Sequence, residues 1–280
     1  MKNIFSGIIT NLCYALRSAK FWIAAVAYLL IMIFYSDADE LYQRGEGVYY
    51  ILHYTLKHGA GEFALAVCAI PAATIFADDW CSGRFIFSYT RARKSGYAIS
   101  LILSSFLIAA LVSIISISIY ITIFSFTNPI TGDITNRSFL QITRSYANGG
   151  LMKEGHYFTY YLITILTQSC YIGIFSAMSA MLSIKLTNQY IAIVMPLILG
   201  MVMGSFMEAI RIPYILIPSR IFSQNTWLSK YFDSELDLNY NFSLISMIYP
   251  FIYTIAILTI LAVISYFWIN NKQEKSLDIR

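Results

Sequence analysis

The sequence predicts an all-α integral membrane protein with six transmembrane helices, an N-terminal amphipathic interfacial helix and both termini in the cytoplasm. Of the 280 residues, 58% are apolar or aromatic before glycine is counted, against about 45–50% with glycine included in ordinary soluble domains. Six long apolar stretches, residues 21–35, 61–76, 97–126, 157–184, 190–206 and 243–269, organise the chain, and Glu62 is the only charged residue inside them. The runs are uninterrupted rather than alternating, which excludes an outer-membrane barrel and leaves helices. The same composition excludes a disordered, collagen-like or coiled-coil chain.

Residues 1–20 form the first organised element. Ile4, Phe5, Ile8, Ile9, Leu12 and Leu16 recur at helical spacing, while Asn3, Ser6, Thr10, Asn11, Arg17 and Ser18 fall towards the other face. This predicts a helix lying along the inner membrane surface, followed by a bend into the first span. The run 21–35 starts late, and Ser36-Asp37-Ala38-Asp39 is not a small-residue cleavage site, so the segment is expected to remain as an anchor.

A bilayer core of about 30 Å needs about 20 helical residues. The stretches 97–126, 157–184 and 243–269 meet that with room to tilt. The shorter stretches 21–35, 61–76 and 190–206 reach it by borrowing residues 15–20, 77–80 and 208–210, with Arg17 and Lys20 snorkelling. With the amino terminus inside, segments 1–20, 77–96, 185–189 and 270–280 hold 11 Lys/Arg in 56 residues. The outer loops 36–60, 127–156 and 207–242 hold 8 in 91, the asymmetry that the positive-inside rule expects. Basic juxtamembrane loops beside an anionic leaflet account for the net charge of +4, so no nucleic-acid partner is implied.

Several chemistries are excluded or demoted. None of the 14 glycines belongs to the Gly-Lys-Ser/Thr ending of a Walker A loop, so the chain is not an ATPase by itself. Cys13, Cys68, Cys81 and Cys170 avoid the outer loops and lack a zinc spacing, so small apolar filler is the expected role. His53, His58 and His156 all fall in predicted outer loops without metal-ligand spacing, and read as surface or interfacial residues. No Asp, Lys, Arg or His falls within the six stretches, which demotes an ion-coupled carrier. An intramembrane protease would need paired Glu and His in its spans, and Glu62 alone cannot supply them. Glu62 itself reads either as a capping carboxylate at a helix amino end or as a group at the mouth of a substrate path.

The inner loop 77–96 carries the most information. Asp78 and Asp79 lead it, Gly83 follows, Trp80, Phe85, Phe87 and Tyr89 supply rings, and Arg91, Arg93 and Lys94 close it against the membrane. Two readings stand on these residues alone. The rings form an anchor cluster against a protein partner, with Asp78, Asp79 and Arg84 giving polar register; or an interfacial helix dips its rings into lipid and its basic residues touch headgroups.

The whole layout resembles the permease subunit of ABC-2 type ATP-binding-cassette transporters. The resemblance rests on the amphipathic inner helix, the six spans, the short connection at Lys185 to Gln189, the long outer loop 207–242 and an acidic, glycine, basic order in loop 77–96. The leading acidic residue is Asp where that family more often has Glu. The resemblance implies that loop 77–96 is a coupling element docking on a separate ATPase subunit through Asp78, Asp79, Trp80, Gly83, Arg84, Phe85, Phe87 and Tyr89. It implies ATP and Mg on that subunit, no cofactor in this chain, a second permease of the same or a different kind, and location in the plasma membrane. The second and fifth spans would line the translocation path, which makes Glu62, Pro71, Pro196, Gly200 and Gly204 candidate path residues. Gly200 and Gly204 permit close helix contact, either between permeases or within the chain. Export of a peptide, drug or lipid-like molecule is the expected function; the alternative is a membrane immunity or sensor protein without transport activity.

Overall fold

The computed structural model describes residues 2–37, 46–83, 94–131, 139, 148–186, 188–213, 216–222 and 244–277. Among these, every regular element is helical. Five helices are long and apolar enough to cross a membrane: Val48–Trp80, Ser95–Ser125, Tyr157–Ser183, Gln189–Met207 and Met247–Asn271. They become six when the bent pair at the amino end is counted as one span.

That pair consists of α1 (Lys2–Arg17) and α2 (Ala19–Phe34), which meet at 66°. Ser18 makes the bend in extended backbone, and its hydroxyl donates to the Ala15 carbonyl at 2.8 Å, occupying an acceptor freed where α1 ends. With 16 residues, α2 is about 24 Å long and needs its flanks to cross a bilayer.

The second span is a chain of short helices: α3 (Val48–Thr55), a wide turn over Leu56–Ala60, α4 (Gly61–Val67), α5 (Ile70–Ala73) and α6 (Ile75–Cys81). Two residues explain its breaks. Gly59 adopts φ +116°, a conformation that costs glycine little and other residues much. Pro71 has no N–H for the Val67 carbonyl and its ring crowds that carbonyl, so regular helix stops at Val67.

The third helix, α7 (Lys94–Ser125), is the hub. Ser100, Ser104, Ser105, Ser113 and Ser116 are all buried along it. A Cβ on Gly7 of α1 would lie 3.2 Å from the Ser100 Cβ, and Asn11 donates to the Ser104 hydroxyl at 3.1 Å. Ser116 donates to the Ala25 carbonyl of α2 at 2.9 Å. The fourth span, α9 (Tyr157–Ser183), answers with Ser169 to Ser113 at 3.2 Å and Ser176 to Ser105 at 3.3 Å. It also brings Gly173 so near that a Cβ there would lie 2.6 Å from the Phe106 ring and 3.0 Å from its carbonyl oxygen.

The fifth and sixth spans, α10 (Gln189–Ala209) and α12 (Leu244–Leu277), are peripheral. Only 18% and 28% of their most apolar windows are buried, against 56% or more for the second, third and fourth spans. Exposed Ile191, Val194, Ile198 and Val202 on one, and Ile248, Ile252, Ile255 and Val263 on the other, form faces suited to lipid rather than water.

Two expectations about the outer loops are corrected. Residues 48–57 of loop 36–60 are helical and lead, through a kink at His58 and Gly59, into the second span, because Val48, Tyr49, Ile51 and Leu52 are buried and draw the chain back onto the bundle. His53 therefore lies in helical backbone rather than in a loop, and His58 stands at the kink that precedes α4. His53 is half-buried, with its Nε2 2.5 Å from the buried Tyr160 hydroxyl. Loop 207–242 likewise contains a short helix, α11 (Pro218–Phe222), whose Ile221 and Phe222 are buried against Ile174 of the fourth span. Between the third and fourth spans lies the single turn α8 (Gly149–Lys153).

Close packing is expected to matter more here than hydroxyl bonding. Gly173→Ala should destabilise the detergent-purified protein by about 1–3 kcal/mol through overpacking, and Ser105→Ala by only about 0.6 kcal/mol. Equilibrium unfolding of the two variants checks the order; a larger cost for Ser105→Ala would refute it.

Candidate functional site where the helix ends meet

The residues that lead loop 77–96 converge with the ends of the other spans. Asp78 stands in the last turns of α6. Its Oδ1 accepts from Gln189 Nε2 at 2.6 Å, and its Oδ2 accepts from Thr74 Oγ1 at 3.1 Å and lies 3.5 Å from Lys20 Nζ. Asp79 Oδ2 accepts from the Tyr97 hydroxyl at 3.1 Å. These two carboxylates thus tie the second span to the starts of the first, third and fifth.

An apolar cluster completes the junction. Phe76, Tyr97, Ala98, Leu101, Ile184 and Ile269 are buried together, with Trp80 and Trp268 packed against them. Trp80 stacks on Phe76 at 6.0 Å, and Lys185 lies over the Trp268 ring at 4.1 Å, a cation–π contact joining the fourth and sixth spans. Gly83 ends the segment. Its φ of +70° and its N–H bond to the Trp80 carbonyl form a left-handed helix stop that directs the chain away from α6. Arg84, Phe85, Phe87 and Tyr89 lie outside the described residues.

The contacts at Asp78 differ in weight. Lys20 is 54% exposed and Asp78 26%, so their ion pair is worth about 0–1 kcal/mol. The Gln189 bond is short and charge-assisted, in the class worth about 1.5–3 kcal/mol. Asp78 therefore holds the fifth span more firmly than it holds the first.

Of the candidate path residues, Gly200 lies on a seam between the second and fifth spans. Leu65 of α4 fills the space over Gly200, where a Cβ would lie 2.3 Å from the Leu65 Cδ1. Gly200 thus serves packing within the chain. Further along the seam, Ala69 and Ala73 bury against Ala192. Pro196 is buried one turn from both Ala192 and Gly200. Having no N–H, it leaves the Ala192 carbonyl without its helical donor, and Ser179 of the fourth span donates to that carbonyl instead. Pro71 is buried and Glu62 exposed, while Gly204 lies farther along α10. Among the described residues, no group of three or more His, Cys, Asp or Glu could hold a metal. Cys13, Cys68 and Cys170 are free thiols, exposed, buried and half-buried respectively.

Sequence reasoning singled out Asp78 and Asp79 but not Lys20, Thr74, Tyr97 or Gln189, which hold them. The only signal for these partners was their position at or near the edges of separate apolar runs. Neither a protein-family model, a curated protein nor a solved structure matches the chain.

Two double-mutant cycles, read by unfolding in detergent, follow from this geometry. Alanine substitutions should give a coupling of about 1.5–3 kcal/mol for Asp78 with Gln189 and under about 1 kcal/mol for Asp78 with Lys20. Ser179→Ala should cost about 1 kcal/mol in the wild type and less beside Pro196→Ala, which restores the missing N–H; equal costs in both backgrounds would count against the substitution of one donor for the other.

Proposed function

We propose that this chain is the membrane-spanning permease subunit of an ATP-driven transporter of the ABC-2 type, exporting a peptide, drug or lipid-like molecule. The observation that carries the reading is the inner junction. A force applied to loop 77–96 acts first on α6, where Asp78 and Asp79 connect to Gln189, Lys20 and Tyr97 at the starts of the fifth, first and third spans. A push on one elbow therefore reaches several rods at once.

The remainder of the bundle suits such a lever. The second span is interrupted at Gly59 and around Pro71, so its parts can change angle without breaking an ideal helix. The fifth span shares a seam with it and is otherwise little buried, so few contacts oppose its movement. In this reading ATP and Mg bind a separate subunit, whose closure drives the elbow. A second permease completes the path, and the elbow and both termini face the cytoplasm at the plasma membrane.

Purification in mild detergent, after expression together with a candidate ABC-type ATPase subunit, should yield a complex with ATP-dependent flux in vesicles. Asp79→Lys combined with Gly83→Pro should leave insertion and ATP hydrolysis intact while reducing flux at least tenfold. A chain that runs without a nucleotide-binding partner and moves nothing on addition of ATP would refute the proposal, and unchanged flux in the double variant would refute the role of the elbow.

A further inference from the structure

A groove of about 520 Å³ lies between the third and sixth spans. Ile99 and Leu103 of α7 form one wall, and Ile255, Val263 and Phe267 of α12 the other. Leu258 closes the floor, where it packs with Ile102, Ala177 and Leu261 in a buried cluster. The interior is apolar. Thr259, the hydroxyl midway along it, donates to the Ile255 carbonyl at 2.8 Å and is satisfied within its own helix.

Length and position select the occupant. From Ile255 to Phe267 the groove follows α12 for about 18 Å at helical rise, close to the depth of a single leaflet, about 15 Å of the bilayer core. Its mouth, at Ser95, Tyr266 and Phe267, lies where the apolar stretches 97–126 and 243–269 give way to polar sequence. There the exposed rings of Tyr266 and Phe267 meet edge to face at 5.6 Å, as aromatic side chains do at headgroup depth. Neither apolar stretch contains a charged residue, so the groove itself is uncharged.

Cations gather at the mouth. Lys94 is the first residue of α7, next to Ser95, and Lys272 and Lys275 follow Phe267 on α12, which continues to Leu277. The exposed Lys185 lies over the ring of Trp268, the neighbour of Phe267 in the chain. Glu274 is the one acidic residue on α12. The aspartates of the junction, at the same end of the bundle, are already bonded to Gln189, Thr74 and Tyr97.

We infer that this groove holds one acyl chain of an anionic phospholipid, whose phosphate is drawn to the lysines at its mouth. The walls receive the chain, and the cations favour a headgroup of net negative charge. A zwitterionic lipid has the same chains and lacks that charge, so it gains the walls alone. A second copy of this protein fits less well, because a two-fold contact at this face would set the same lysines against one another. The bound chain fills the space between α7 and α12 and ties the little-buried sixth span to the hub.

Mass determination of the intact protein released from detergent, after titration with phosphatidylglycerol or phosphatidylcholine of identical chains, tests the site. The wild type should retain one phosphatidylglycerol, saturably, at a concentration at least about tenfold below that needed for phosphatidylcholine. Lys94→Gln combined with Lys272→Gln should bring the two lipids to within about twofold of each other while the protein stays monodisperse. Ala262→Trp, which fills the groove, should weaken retention of phosphatidylglycerol at least about tenfold. Equal retention of the two lipids by the wild type, an unchanged preference in the lysine variant, or a dimer that persists with either lipid and is split by Ala262→Trp would overturn the site. None of these measurements involves an ATPase, so their failure would leave the permease reading standing.

Discussion

Between helices surrounded by hydrocarbon, burying apolar surface gains little, because lipid tails are as apolar as leucine. Cohesion must come from close backbone approach and from hydrogen bonds across helices. The third span answers that constraint with serines at positions 100, 104, 105, 113 and 116 and with a surface onto which Gly7 and Gly173 can close. The amino-terminal pair and the fourth span gather round it for that reason. The fifth and sixth spans have fewer such contacts and remain at the edge, facing outward with isoleucine and valine.

Polar groups are distributed unevenly along the bundle, and their distribution organises the rest. Where the helix ends meet, Asp78 and Asp79 hold several spans through bonds of differing strength, and a cluster of rings seals the junction. In the interior, hydroxyls bond across helices or to carbonyls, as Ser179 does for the carbonyl that Pro196 leaves without a donor. Elsewhere, α11 packs between the fourth and sixth spans and brings the rings of Tyr171, Phe222 and Tyr253 together.

The apolar runs made the helices legible in the sequence because a span must be long and nearly free of charge to enter a bilayer. The stripe of Ile4, Ile8 and Leu12 announced α1 by the same logic of faces. What stayed hidden had mixed composition. Lys57 and the glycines around Ala60 concealed the helical course of residues 48–57, although the buried Val48, Ile51 and Leu52 belong to the bundle. Pro218 and Arg220 concealed α11, whose burial depends on a gap between other helices that no local pattern reveals. Within the candidate site, the carboxylates were visible as charges at a membrane edge. Their partners were not, since Gln189 lies 111 residues from Asp78 and only the fold brings them together.

The account depends on the elbow lying on the side where ATP is available. Cysteine labelling tests that directly, in a background where the four native cysteines are replaced by serine, with a membrane-impermeant maleimide applied to intact and then permeabilised cells. Ser88→Cys should react only after permeabilisation and Glu154→Cys in intact cells. Reaction of Ser88→Cys from outside, with Glu154→Cys protected, would contradict the account.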